Sequence, residues 1–171
     1  MNNSPADFGG HSPPLQMAAH KARLTRLPRL FANIPVFFVT ACTHQRHRLL
    51  ANAGLHTAFC NFAGQAPDHG VFVGRYVLMP DHIHLFVSSA PEAPSLSAWI
   101  KSLKNALSKT LRQQQVPAPH WQKGFFDHVL RSDESLAEKW LYVSANPVRA
   151  GLVKQTEDWP FQGEIHVLEK R

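Results

Sequence analysis

The sequence predicts an α+β fold of the ferredoxin-like kind, an antiparallel β-sheet with helices packed on one face, extended by a C-terminal helix. Strand-like and helix-like segments alternate in the order β-α-β-β-α-β and are followed by that last helix. The middle two strands are joined by only Pro80-Asp81, which forces them antiparallel. No internal repeat is visible, and 171 residues suit one domain with a substantial core.

The elements follow in order. Residues 1–30 read as a flexible basic arm, because Pro13, Pro14 and Pro28 discourage regular structure. The domain proper is expected over 31–160 and a tail over 161–171. "VFFVTACT", 36–43, is β-branched and aromatic, hence a strand. Leu50, Leu55, Ala58, Phe59 and Phe62 give 49–63 a helical apolar stripe. Residues 71–79 and 82–88 make the hairpin. Ser95 or Ser97 can cap a helix over 96–115, with Trp99, Leu103, Leu107 and Leu111 on one face. "WQKGFFDHVL", 121–130, has the character of a further strand, and Ser132 or Asp133 opens a helix over 134–146.

Within the hairpin, "YVLMPDHIHLFVS" sets two histidines in an apolar run. Strand alternation puts His82, His84 and Phe86 on one face and Ile83, Leu85 and Val87 on the other. The second set is core. The first presents two imidazoles that are either half-buried polar residues or a pair of metal ligands. Asp81 is read as fixing the Pro-Asp turn, facing away from them.

On the last helix Leu136, Trp140, Val143 and Pro147 form the packing stripe, and Tyr142 lies roughly 120 degrees away from it. An aromatic off the core face is either a rim tyrosine with its hydroxyl in water or a functional one. Asn146 falls one turn beyond Tyr142 if the helix reaches the residue before Pro147; Asn-Pro is also ordinary helix-end punctuation. If this helix crosses the histidine-bearing strand, two imidazoles and an amide oxygen with open positions suit Mg²⁺ or Mn²⁺ held together with a substrate phosphate.

Charge points the same way. The chain carries a net +6, and no Asp or Glu occurs between Phe8 and Pro67 or between Ala93 and Phe126. Lys21, Arg23, Arg26, Arg29, Lys101 and Lys104 fall in those stretches, and with Arg149 they are the candidates for nucleic-acid backbone contact. Each could equally belong to a solvated basic face. The two cysteines, Cys42 and Cys60, form no CxxC pair and no apolar run is long enough for a membrane span, so a soluble cytoplasmic protein with structural thiols is expected.

The hairpin motif resembles the HUH motif (His, hydrophobic, His) of the IS200-like single-tyrosine transposases. "WQKGFFDHVLR" and "LYVSANPVRAGLV" are similar to the C-terminal signature of their REP-associated branch, and the likeness runs from about Arg26 to Trp159. It implies a nucleophile at Tyr142, metal ligands at His82, His84 and Asn146, and single-stranded DNA as substrate, in particular hairpins folded from repetitive extragenic palindromes. The reaction implied is nicking and joining through a 5'-phosphotyrosine, in a bacterial, nucleoid-associated protein acting as monomer or homodimer. Asn146 favours the REP-associated branch, since the insertion-sequence relatives have Gln there. The chain has only two tyrosines, and Tyr76 sits in a hairpin strand where an aromatic packs naturally. An inactive hairpin-binding module and a metal-dependent hydrolase using the same histidines are the competing readings.

Overall fold

The computed structural model describes residues 35–130 and 136–168. The arm residues Lys21, Arg23, Arg26 and Arg29 lie outside the described residues. Five strands, β1 (Val36–Cys42), β2 (Val71–Leu78), β3 (His82–Ser89), β4 (Phe126–Leu130) and β5 (Gln162–Glu164), form one sheet in the order β4-β1-β3-β2-β5. Every pairing is antiparallel. The helices are α1 (Ala53–Gly64), α2 (Leu96–Gln113), α3 (Leu136–Ser144) and the single turn α4 (Asn146–Arg149).

The sheet has two covered faces, and alternation along its strands assigns each side chain to one of them. Val39, Leu85 and Val87 pack against Leu55 and Phe59 of α1 and Trp99, Leu103, Leu107 and Leu111 of α2. Each of these two helices starts where a side chain caps it: Asn52 Oδ1 accepts from Leu55 N at 2.9 Å, and Ser95 Oγ from Ala98 N at 3.3 Å. The opposite face carries Val36, Phe38, Val77 and Phe86, covered by Val143 of α3 and by Trp159 and Leu168. Helices α1 and α2 thus share one face, as expected, and the C-terminal helix occupies the other.

A register shift between Val73 and Tyr76 lets Val71, Val73, Tyr76 and Leu78 all point to the α1–α2 core. Gly74 sits in that bulge because the C-terminal segment crosses it: a Cβ there would meet Leu168 Cδ1 at 2.7 Å.

Three sequence expectations need correction. Residues 161–168 are no tail, since β5 pairs with β2 and Leu168 is buried in the second core. The 121–130 strand begins only at Phe126; Trp121 makes an isolated bridge to Thr43, and its indole N–H donates to Lys104 O and Ser108 Oγ. The last helix stops at Ser144 rather than Asn146, because Pro147 has no N–H to continue the ladder and Asn146 opens a new turn.

Candidate active site

His82 and His84 open on the sheet face that α3 covers, next to Phe38 and Phe86. His84 lies opposite Thr40 across the β1–β3 pair, and its Nδ1 is 2.8 Å from Thr40 Oγ1. His82 Nδ1 is 2.7 Å from Asp81 Oδ1. With both Nδ1 atoms partnered, the two Nε2 atoms face each other at 3.0 Å, the rings nearly perpendicular at 84°. Asp81 accepts only, so His82 Nδ1 carries the proton and its Nε2 is a bare lone pair. Two imidazole nitrogens bound cis to one ion at about 2.1 Å also stand about 3 Å apart. The pair therefore fits a divalent ion.

Burial, then the charges of His82, Arg46 and Arg149, pushes His84 down to about 3, and burial lowers His82 despite the opposing pull of Asp81. Both rings are neutral near pH 7, the form in which imidazole ligates. Burial works against ionising Asp81, but its hydrogen bond to His82, the His82 charge and the Arg46 guanidinium outweigh that and hold its carboxyl below the usual range.

Asp81 is therefore more than a turn residue, contrary to the alternation argument, which treated a residue outside the strand as part of it. Arg46 Nε holds the second carboxylate oxygen at 2.8 Å, and its Nη1 reaches Cys42 Sγ at 2.9 Å. Arg46 and its neighbour Gln45 both take left-handed backbone conformations (φ 60° and 49°) without being glycine, which costs of order 1 kcal/mol each. The turn is held there by Thr43 N donating to Asp81 O and by Leu49 and Leu50 N donating to Pro80 O, at 2.8–2.9 Å. Neither Arg46 nor Thr40 stands out in the sequence, since only the fold brings them to the histidines; the adjacency of Asp81 to His82 was the one available signal.

Helix α3 is seated on the same face. Trp140 meets Phe86 edge-on at 6.4 Å, Lys139 Nζ lies 5.3 Å above the Phe38 ring, and Phe38 stacks on His84 at 5.3 Å. Tyr142 is 65% exposed. Although the helix breaks at Ala145, that residue keeps helical torsions (φ −78°, ψ −4°), so Asn146 still follows Tyr142 by one turn. Arg149 ties the two together: its guanidinium lies 4.0 Å from the centre of the Tyr142 ring, and its Nη2 donates to Asn146 Oδ1.

The lysines on α2 stand elsewhere, on the helix layer behind the sheet. Lys101 is exposed. The Lys104 ammonium is committed to the fold, donating to Gln122 O at 3.1 Å and to Gly124 O. Among the described residues no three His, Cys, Asp or Glu side chains converge to hold a metal, so an ion at His82 and His84 would complete its shell from Asn146, water or a ligand. Among the same residues no helix is long and apolar enough to cross a membrane.

Residues 36–138 match the family described as "Transposase IS200 like". The chain belongs to that family. A REP-associated tyrosine transposase of Escherichia coli (strain K12) is 26% identical over 55% of this chain and 54% of its own length. A Haemophilus influenzae (strain Rd) protein to which the same name is provisionally given is 31% identical over 49% of this chain and 53% of its own. The chain thus spans about half the length of the curated relatives it matches. A solved REP-associated tyrosine transposase bound to a REP hairpin shares the fold, with a TM-score of 0.59, 24% identity and 75% of each chain covered. The family match carries β1 to β4, α1, α2 and the histidine pair, and ends within α3, four residues before Tyr142.

Proposed function

We propose that this IS200-like family member nicks and rejoins single-stranded DNA near a hairpin through a covalent 5'-phosphotyrosine formed on Tyr142. The observation that carries the proposal is the facing pair of Nε2 atoms on β3, under the helix that presents an exposed tyrosine beside an asparagine oxygen. His82, His84 and Asn146 would hold Mg²⁺ or Mn²⁺. When bound, such an ion supplies Lewis-acid polarisation of the scissile phosphate.

Asp81 and Thr40 hold the two imidazoles through their Nδ1 atoms, so that both Nε2 atoms point to one place. The Tyr142 phenol loses its proton to solvent, which reaches it freely, and its oxygen attacks phosphorus in line. The Oη–P bond forms as the P–O3' bond breaks, the departing O3' takes a proton from solvent to become a free 3'-hydroxyl, and a phosphodiester is conserved for rejoining. Arg149 and Lys139 supply positive charge along the approach to the histidines.

Tyr76 is unsuited to this role. It is buried, its hydroxyl is 2.8 Å from His56 Nε2 and 3.3 Å from Cys60 Sγ, and burial together with Cys60 pushes its phenol up, away from ionisation. Hairpin DNA as the substrate is supported by the hairpin bound in the solved relative and by the acid-free basic stretches of this chain.

The test is adduct formation on hairpin-bearing single-stranded DNA with Mg²⁺ or Mn²⁺ present. The parent and Tyr76→Phe should give a protein–DNA adduct on a denaturing gel, and Tyr142→Phe should give none while binding the DNA as well as the parent. A parent that binds but never forms an adduct would instead identify a hairpin-binding module.

A further inference from the structure

Arg149 contacts both Tyr142 and Asn146, and its charge also reaches His84. It is exposed and lies three residues past Asn146, at the end of α4. Its Nη2 donates to the Asn146 oxygen that the proposed metal would take as a ligand, while its guanidinium lies over the ring of the proposed nucleophile. A dication approaching that oxygen would meet a positive charge already on the same atom, and the two repel. A phosphodiester removes the conflict, because it brings negative charge and is a better acceptor for a planar guanidinium than an amide oxygen is.

We propose that Arg149 is a positioning residue that serves as a resident counter-cation. In the DNA-free protein it holds Asn146 Oδ1 and stacks on the Tyr142 ring, and it releases both when a phosphodiester arrives to accept its N–H groups. The inference rests on the metal-dependent reading of the His82–His84 site given above. Metal and DNA then bind as coupled partners: DNA tightens the metal, and by linkage the metal tightens DNA by the same factor. The site stays metal-poor until substrate is present.

The test is Mn²⁺ titration, by calorimetry and by loss of the free-ion electron paramagnetic resonance signal, of the full chain with and without a short oligothymidylate. In the parent, the oligonucleotide should tighten Mn²⁺ binding. Arg149→Gln should bind Mn²⁺ about fivefold or more tightly without DNA and lose most of the tightening by DNA. Arg149→Lys keeps the charge and should bind Mn²⁺ as weakly as the parent. A parent that binds Mn²⁺ measurably with an Arg149→Gln variant that binds no better would overturn the proposal and leave the metal site standing, as would a lysine variant as tight as the glutamine one. No Mn²⁺ binding by any of the three proteins would overturn both.

Discussion

Asp81 and Thr40 each take the Nδ1 of one histidine, and the residue scale is where they can be tested. A partner on the far nitrogen of a metal-binding imidazole sets its orientation and basicity and typically carries 10–100-fold of metal affinity. Asp81→Asn should therefore weaken Mn²⁺ binding by about tenfold while leaving the fold's circular dichroism unchanged; an unaltered affinity would make Asp81 a turn residue only. The same neutral rings make stability depend on pH. Unfolded, a histidine takes its proton near 6.5, whereas folded His84 does so only near 3 and His82 is also lowered. Between those values the unfolded chain binds more protons, so stability is complete above pH 6.5 and is lost as pH falls below it. Urea unfolding at pH 7.5 and pH 5 should give a lower midpoint at the acid value, and His84→Asn should reduce the difference.

At the scale of elements, the C-terminal segment separates the sequence reading from the structure most clearly. Leu168 is buried against the bulge at Gly74, and the Trp159 indole donates to Leu78 O at 3.1 Å, so residues after Pro160 are part of the second core. Leu168→Ala should cost about 2–3 kcal/mol, read as a fall in the urea midpoint; an unchanged midpoint would return 161–168 to a loosely attached tail. A three-residue strand with Gly at its centre has too little periodicity to be seen in sequence. The alternation His82-Ile83-His84 and the four-residue spacing of Trp99, Leu103, Leu107 and Leu111 were legible because each repeats the period of its element. So was the displacement of Tyr142 from the Trp140–Val143 stripe. The Arg46–Asp81 contact was not, since it joins a left-handed turn to a hairpin 35 residues later and leaves no pattern in either.

At the scale of the whole molecule, the sheet separates two jobs. One face is a conventional core under α1 and α2; the other holds the histidines beneath α3, and the basic side chains divide between them. Affinity for single-stranded DNA should fall steeply with salt. Lys101→Ala, at an exposed position, should flatten that slope if the α2 layer contacts DNA. Lys104→Ala should act first on stability, because its ammonium satisfies two backbone carbonyls of 122–124; a flattened slope with unchanged stability would assign Lys104 to DNA instead. The central claim is that the reaction passes through Tyr142, and mass spectrometry of the tryptic peptide spanning 140–149, taken from a reaction quenched with hairpin DNA and Mn²⁺, tests it most directly. This peptide should carry a 5'-phosphorylated nucleotide on Tyr142. A nucleotide on any other peptide, or cleaved DNA with no peptide adduct at all, would contradict it.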